Sequence, residues 1–283
     1  MRSDVANPVG DVHEGGEGSP LLLLHGLSGT WHIWKPVLAV LESRHRVIAM
    51  TLPGHDGGMP LAAGVEPTVD SIADALQQEL RRRGLSSVHI VGNSLGGWLA
   101  LELARRGVAK SVVAFSPAGG WRSAEDYRAI SRPFLVFFFL MPLVFILVTA
   151  FLGWTTLRRV LGAQTMEHAD RIEAGDFRAS LKAFSKTLIL PALIRAMKRD
   201  GPIAALQVPG VPIRIVWSDR DRVIPFERYG RPMLERVPQA ELVMLAQAGH
   251  VPMYDNPAGV AAQILLVCGA ADTAGCSAVA RPA

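Results

Sequence analysis

Cysteine, aromatic residues and charge are all sparse in this chain. Of its 283 residues two are cysteines, 7% are aromatic and 19% are charged. Cys268 and Cys276 lie close together near the C-terminus, with no histidines or second cysteine pair at metal-ligand spacing. This arrangement argues against a disulfide framework and a zinc site, and it predicts free thiols, with one short disulfide loop as the alternative. We expect that no metal or organic cofactor is required.

Other absences narrow the class of protein further. The first residues, MRSDVANPVGDVHEGG, contain no apolar core of a signal peptide, which predicts cytoplasmic residence. No polar low-complexity stretch divides the chain, so we expect one large domain with an insertion. The net charge of +4 comes from scattered basic residues with one tight run, Arg81 to Arg83. We interpret this run as a solvated helix face, and no nucleic-acid partner is expected.

Short, continuous apolar runs recur along the chain and predict buried strands. Such runs are typical of a parallel sheet that is covered on both faces. Helical patterns at 69–83 and 95–106 lie between them, and this alternation favours a mostly parallel α/β sheet flanked by helices. The interval 118–208 contains no comparable run and is predicted to be a helical cap inserted between two strands. The predicted strands are 19–25, 46–52, 87–92, 110–116, 213–218 and 241–246.

The domain boundaries follow from this pattern. Residues 1–117 and 209–268 are predicted to form the core, 118–208 the cap and 269–283 a disordered tail.

The cap contains one long segment without charge, from Pro133 to Leu157. Its length would allow a membrane crossing. A single crossing would, however, leave strands of one sheet on both sides of the membrane, and Pro142 is expected to break the run into two shorter helices. We therefore expect helices that cover the active site with their apolar side. A peripheral membrane contact is the alternative, since Arg132, Arg158 and Arg159 would suit anionic headgroups as well as solvent.

A GxSxG pentapeptide carries the first chemical signal. Gly92-Asn93-Ser94-Leu95-Gly96 stands directly between a predicted strand and a predicted helix. The chain must turn sharply there, which requires small residues on either side of a serine whose hydroxyl projects from the sheet edge. Ser94 is therefore the candidate nucleophile.

A serine nucleophile needs a base and a group that orients the base, and both are available after later strands. Asp219 and Asp221 follow the strand at 213–218, and His250 follows the strand at 241–246. The carboxyl ends of parallel strands share one edge of a sheet, so these side chains are expected to meet Ser94 there. His250 is the candidate base, and the two aspartates are alternatives for the orienting acid.

Taken together, these motifs resemble the α/β-hydrolase superfamily from about residue 18 to 267. The resemblance favours Asp221 as the acid, because Asp221 to Pro225 matches the pattern D-x-x-[I/V]-P, and Gly249-His250 matches the family's terminal GH. His25-Gly26 resembles the HGx loop, which implies that the backbone N–H groups of Leu27 and Leu95 form the oxyanion hole. His25 and His55 are interpreted as structural, and His168 has no evident partner.

The resemblance implies cleavage of a carboxylic ester or related acyl bond of an apolar small molecule through an acyl-enzyme. Other reactions of the same triad remain open: carbon-carbon bond hydrolysis, thioester or lactone cleavage, acyl transfer and cofactor-free perhydrolysis. A binding protein without turnover is a further alternative. A serine at position 94 argues against dehalogenase and epoxide-hydrolase chemistry, because relatives with those activities have aspartate there.

Overall fold

The computed structural model describes residues 11–279, with side chains described as far as residue 274. Its strands are β1 Val12–Gly15, β2 Ser19–Leu24, β3 His45–Met50, β4 Val88–Asn93, β5 Ala109–Phe115, β6 Ile213–Ser218 and β7 Glu241–Leu245. They form one sheet in the order β1-β3-β2-β4-β5-β6-β7. Strand β1 pairs antiparallel with β3, and the other neighbours are parallel.

Helices cover both faces of this sheet. The described helices are α1 Lys35–Glu42, α2 Val69–Arg82, α3 Leu95–Arg105, α4 Ala124–Val148, α5 Thr155–Gly162, α6 Ala174–Lys186, α7 Leu190–Asp200, α8 Arg231–Arg236 and α9 Pro257–Val279. Helices α2 and α3 lie against one face, α1 and α9 lie against the other, and α4 packs on α6 and α7 in the cap.

The six strands predicted from the apolar runs are confirmed, each to within two residues at either end. Their side chains are buried because helices cover both faces; Leu21 to Leu24 of β2, for example, have no exposed surface. Strand β1 was not predicted. Its four residues, VHEG, include only one large aliphatic side chain, and pairing with β3 holds them in place.

The insertion is helical, as predicted: among the described residues, no strand lies between β5 and β6. The expectation that Pro142 divides the apolar run was wrong, because α4 continues through both Pro133 and Pro142. Both prolines are at exposed positions, nine residues apart and so on opposite flanks of the helix. Because they are exposed, water can satisfy the carbonyl groups that lose an N–H partner there. Met141, next to Pro142, is fully buried and anchors the same turn.

The tail prediction was also wrong over most of its length. Helix α9 continues to Val279, past the predicted boundary at Gly269. The stretch is rich in alanine, which favours helix, and two of its residues are tied to the core. Ala271 is buried, and the Asp272 carboxylate pairs with Lys110 and His89. The final predicted tail residues, 280–283, lie outside the described part of the chain.

Helix α9 contains both cysteines, which were predicted to be free thiols. Cys268 is a free, buried cysteine, and burial raises the pKa of its thiol to about 12. The Cys276 side chain lies outside the described residues.

Candidate active site

Ser94 occupies the tight turn between β4 and α3 with a backbone φ of 56°, a left-handed conformation that is unusual for a non-glycine residue. The turn is possible only because its neighbours lack side chains. A Cβ atom on Gly92 would lie 2.0 Å from the Gly96 carbonyl oxygen, and one on Gly96 would lie 2.3 Å from the Leu24 carbonyl oxygen. The GxSxG spacing is thus a steric requirement of this turn.

The structure brings Asp221 and His250 together. His250 Nδ1 lies 2.7 Å from Asp221 Oδ2, and both side chains are almost completely buried. The other oxygen of Asp221 accepts hydrogen bonds from the amides of Val223 and Ile224 at 2.9 and 2.8 Å. Because the carboxylate can only accept, His250 must donate from Nδ1, which leaves Nε2 as a proton acceptor.

Asp219, the alternative acid, has a different role. It is exposed, and its Oδ1 accepts a hydrogen bond from the Ala248 amide at 3.2 Å. It therefore supports the loop that carries His250 without contacting the imidazole.

Ser94 and His250 are connected through Asn93. The Asn93 side-chain amide donates to the His250 carbonyl oxygen at 2.8 Å, which ties the histidine loop to the serine turn. Within the described part of the chain, no hydrogen bond joins the His250 ring to the Ser94 hydroxyl. Catalytic hydrogen bonds are often long in the free enzyme and shorten in the complex with substrate.

Asp255 is a second residue of the site that the sequence analysis missed. Its two oxygens accept hydrogen bonds from the backbone amides of Gly249 and His168, both at 2.8 Å. One buried carboxylate therefore joins the histidine loop to the cap. An acidic residue five positions after His250 was the available signal, but its partners are brought near only by folding.

The loop after β2 is fixed by His25. The Leu52 amide donates to His25 Nε2 at 2.8 Å, so Nδ1 carries the proton and donates to the Gly26 carbonyl oxygen at 2.7 Å. Burial and the neighbouring His55 keep the pKa of His25 well below its ordinary value, so the imidazole is neutral. This neutral imidazole holds the turn that contains Leu27, consistent with the structural role inferred from the sequence.

His55 and His168 lie apart from this arrangement. His55 is buried beside His25, and burial lowers its pKa to about 4. It therefore serves the fold as a neutral group. His168 meets the site only through its backbone amide, which binds Asp255.

The two predicted oxyanion-hole residues both line the pocket at Ser94. Leu95 is the first residue of α3, where an amide has no partner within its own helix and the helix dipole favours an anion. Leu27 lies in the turn held by His25 and faces the same pocket.

The pocket at Ser94 is narrow and apolar, with a volume of about 50 Å³. Its walls come from the serine turn, the loop after β5 and helices of the cap. Besides Ser94, only Ser131 and Tyr127 bring a hydroxyl to these walls among the lining residues. The Tyr127 hydroxyl donates to the Ile194 carbonyl oxygen, and burial raises its pKa to about 12. The pocket thus offers few polar groups besides Ser94 itself.

A larger cavity of about 390 Å³ lies under the cap. It shares four wall residues with the serine pocket, which places the two cavities side by side: Leu27, Ile130, Phe134 and Val223. A volume of this size suits a small-molecule ligand. Its outer wall includes the exposed side chains of Pro133 and Phe137.

One cluster of possible metal ligands lies elsewhere. His45, His89 and Asp272 place their ligand atoms within 4.8 Å of one another. His45 and His89 are at the beginnings of β3 and β4, the edge of the sheet opposite Ser94. The Lys110 ammonium group contacts the Asp272 carboxylate and neutralises it, so the cluster is better explained as an ion-paired network.

A comparison with known families agrees with this geometry. The model of the alpha/beta hydrolase family matches residues 21–263, which is most of the chain. The chain therefore belongs to the alpha/beta hydrolase family. Among curated relatives, the epoxide hydrolase EphH of Mycobacterium tuberculosis is 32% identical over 204 residues, covering 66% of this chain and 88% of the relative.

Solved structures support the fold. A membrane phospholipase A, a bacterial virulence factor, superimposes with a TM-score of 0.72 at 22% identity, covering 92% of this chain and 82% of the other. A thermophilic esterase from Thermogutta terrifontis gives a TM-score of 0.70 at 20% identity, covering 94% and 96%. An epoxide hydrolase from Bacillus megaterium gives 0.70 at 19% identity, covering 92% and 96%. At these identities the likeness concerns the fold alone.

Proposed function

We propose that this protein is a serine hydrolase that cleaves a carboxylic ester, or a related acyl bond, of an apolar small molecule. The observation that carries the proposal is the combination of Ser94 in its left-handed turn with the buried pair His250–Asp221 at 2.7 Å. A serine needs an oriented base to become nucleophilic, and this pair supplies one. Cytoplasmic residence belongs to the same proposal.

The reaction follows from the positions of the groups. His250 Nε2 takes the proton of the Ser94 hydroxyl while the Ser94 oxygen attacks the substrate carbonyl carbon. The amides of Leu27 and Leu95 stabilise the oxyanion, and Asp221 stabilises the imidazolium that forms. His250 then passes the proton to the leaving group. Water next attacks the acyl-enzyme with His250 again as the base, and the proton returns to the Ser94 oxygen as the acid leaves.

The walls of both cavities support an apolar substrate. The serine pocket is almost free of polar surface, and the adjoining cavity is lined by phenylalanine, leucine and isoleucine side chains of the cap. The apolar part of these walls gains free energy from covering hydrocarbon. The larger cavity also has polar wall residues, of which Arg222 pairs with Glu167 and Gln164 donates to a backbone carbonyl oxygen. We expect medium-chain acyl groups to fit better than acetyl groups.

Epoxide hydrolysis is the competing function, because EphH is a relative over most of its length. Relatives with that activity attack the epoxide with an aspartate, whereas this chain has a serine. A serine hydroxyl beside a base that an aspartate orients is suited to acyl transfer. We therefore expect p-nitrophenyl esters to be hydrolysed and styrene oxide to be left unchanged.

The direct test is hydrolysis of a p-nitrophenyl ester series by the wild type and by Ser94→Ala. Loss of activity in Ser94→Ala, with full activity in Ser43→Ala, an exposed serine of α1's C-terminal cap, would support the proposal. A fluorophosphonate probe should label the wild type and not Ser94→Ala. Labelling without ester turnover would indicate another acyl substrate; neither labelling nor turnover would favour a binding protein.

A further inference from the structure

The outer face of helix α4 is apolar and exposed over most of its length. Its exposed positions recur at helical spacing, while Tyr127, Ser131 and Met141 on the other side are buried. We call these exposed residues the apolar face: Val136, Phe139, Leu140, Leu143, Ile146 and Leu147. Phe139 and Ile146 are 69% and 73% exposed. Soluble monomers rarely expose large apolar side chains in one contiguous patch of this kind.

The apolar face continues into the next turn of the cap. Phe151 and Trp154 follow α4, both exposed, with their rings 5.3 Å apart. Trp154 is 67% exposed. Exposed tryptophan beside aliphatic side chains is typical of surfaces at the boundary between water and lipid.

Cations border the apolar face and make the cap positive. Residues 118–208 contain 12 basic and 7 acidic side chains, a net charge of +5, although the whole chain carries +4. Arg128 and Arg132 precede Val136 by eight and four positions, so they extend the same exposed stripe. In the described part of the chain neither forms an ion pair, and neither do Lys182 and Lys186 on the adjacent α6.

A membrane crossing does not fit the packing of α4. The helix and its next turn, Ala124–Phe151, are long and apolar enough to span a bilayer, as is part of α9. However, α4 packs along α6 and α7, Tyr127 donates to Ile194 of α7, and Met141 belongs to a cluster inside the cap. One side of the helix is thus committed to the protein.

We propose that the apolar face, with Phe151 and Trp154, is a docking surface for a lipid bilayer containing anionic headgroups. The aliphatic and aromatic side chains enter the interface, and Arg128 and Arg132 bind headgroup phosphates. Pro133 and Phe137 of the same helix form the outer wall of the large cavity, so an apolar molecule can pass from the bilayer toward Ser94. This last step rests on the proposed hydrolase function; the docking does not.

Vesicle flotation of the full chain tests the proposal. The probes are phosphatidylcholine vesicles with and without phosphatidylglycerol, at low and high salt. We expect flotation with the anionic vesicles, weakened by salt, and equal flotation of Ser94→Ala. This variant separates failure of docking from failure of the proposed chemistry.

Matched double variants locate the surface. Phe139→Asp with Ile146→Asp should reduce vesicle binding about ten-fold, because a charge at the interface opposes insertion. The control is Val40→Asp with Leu266→Asp, on helices α1 and α9. These residues are 50% and 60% exposed and lie on the other side of the sheet. This variant should change vesicle binding less than about two-fold. Urea denaturation should show the wild type and both double variants folded, and hydrolysis of a soluble short ester should be equal in these three proteins.

Four results would overturn the proposal. The wild type could fail to float with either kind of vesicle, or both double variants could lose binding equally. Light scattering could reveal a dimer that only the Phe139/Ile146 variant dissociates, which would make the face a contact between two copies. Bound protein that resists carbonate extraction would instead indicate a membrane-spanning α4.

Discussion

Replacement of Asp221 by asparagine separates the orienting role of the carboxylate from its place in the fold. One oxygen of Asp221 accepts from two backbone amides, and the other accepts from His250 Nδ1 at 2.7 Å. Asparagine has nearly the same shape but only one oxygen. The two amides retain that oxygen, so the side-chain NH₂ faces the imidazole. His250 must then accept at Nδ1 and carry its proton on Nε2, where it cannot deprotonate Ser94.

The expected loss of activity follows from the changed tautomer of His250. In a serine protease with a Ser-His-Asp triad, the corresponding substitution lowers kcat by about 10⁴. This factor corresponds to about 5 kcal/mol of lost transition-state stabilisation. We expect a decrease of similar size here, in kcat and not in KM, because the Asp221 side chain is buried and acts through His250.

The assay is steady-state hydrolysis of the preferred p-nitrophenyl ester by wild type, Asp221→Asn and Asp219→Asn. Asp219 lies in the same loop and accepts only from a backbone amide, so its variant should stay within a few-fold of wild type. Urea denaturation should show both variants folded. If Asp221→Asn retained more than a tenth of wild-type kcat, or behaved like Asp219→Asn, the assignment of the triad would be refuted.

Three further predictions concern the fold around the site. Asp255→Ala leaves the buried amide of Gly249 without its acceptor, so we expect about 2–3 kcal/mol lower stability in urea and reduced esterase activity; unchanged values of both would contradict the role given to Asp255. Burial lowers the His55 pKa from 6.5 to about 4, so the unfolded state binds a proton first as the pH falls. About 3 kcal/mol of stability should therefore be lost between pH 6.5 and 4. His55→Gln should reduce this loss, and an unchanged pH profile of stability in this variant would contradict the role of His55. Alanine normally stabilises a helix relative to glycine. Gly96→Ala should nevertheless abolish folding, because its Cβ would lie 2.3 Å from a carbonyl oxygen. Gly175→Ala, with open space around it, should raise the stability measured by thermal denaturation by about 0.5–1 kcal/mol.

Much of the fold could be predicted from local pattern alone. A strand covered on both faces must be apolar throughout, so the six central strands stand out as short runs, each ended by polar or small residues. The same reasoning failed for β1, a half-exposed edge strand that depends on β3. It also failed for Pro142 and the tail, because packing against the cap and the sheet outweighed the local signals for breaking or disorder.

Only some members of the candidate site could be identified in the same way. Ser94 and His250 stand at strand ends within motifs of fixed spacing, and Asp221 follows a strand in a matching pattern. The acceptor roles of Asp255 and the tether made by Asn93 were not predictable, since each joins segments far apart in the chain. Hydrogen bonds of this kind have no periodicity or spacing that a sequence can show.

The sequence by itself determined the order of strands and helices, the tight turn at Ser94 and the candidate residues at one sheet edge, because each depends on neighbouring residues and their period. Tertiary structure decided the contact itself: the resemblance favoured Asp221 over Asp219, but only the folded loop directs the Asp221 carboxylate at His250 and leaves Asp219 exposed. It also decided which side of the uncharged run is buried. An apolar residue has the same chemistry on either side of a helix, and only the packing of α4 against α6 and α7 leaves Phe139 and Ile146 facing outward.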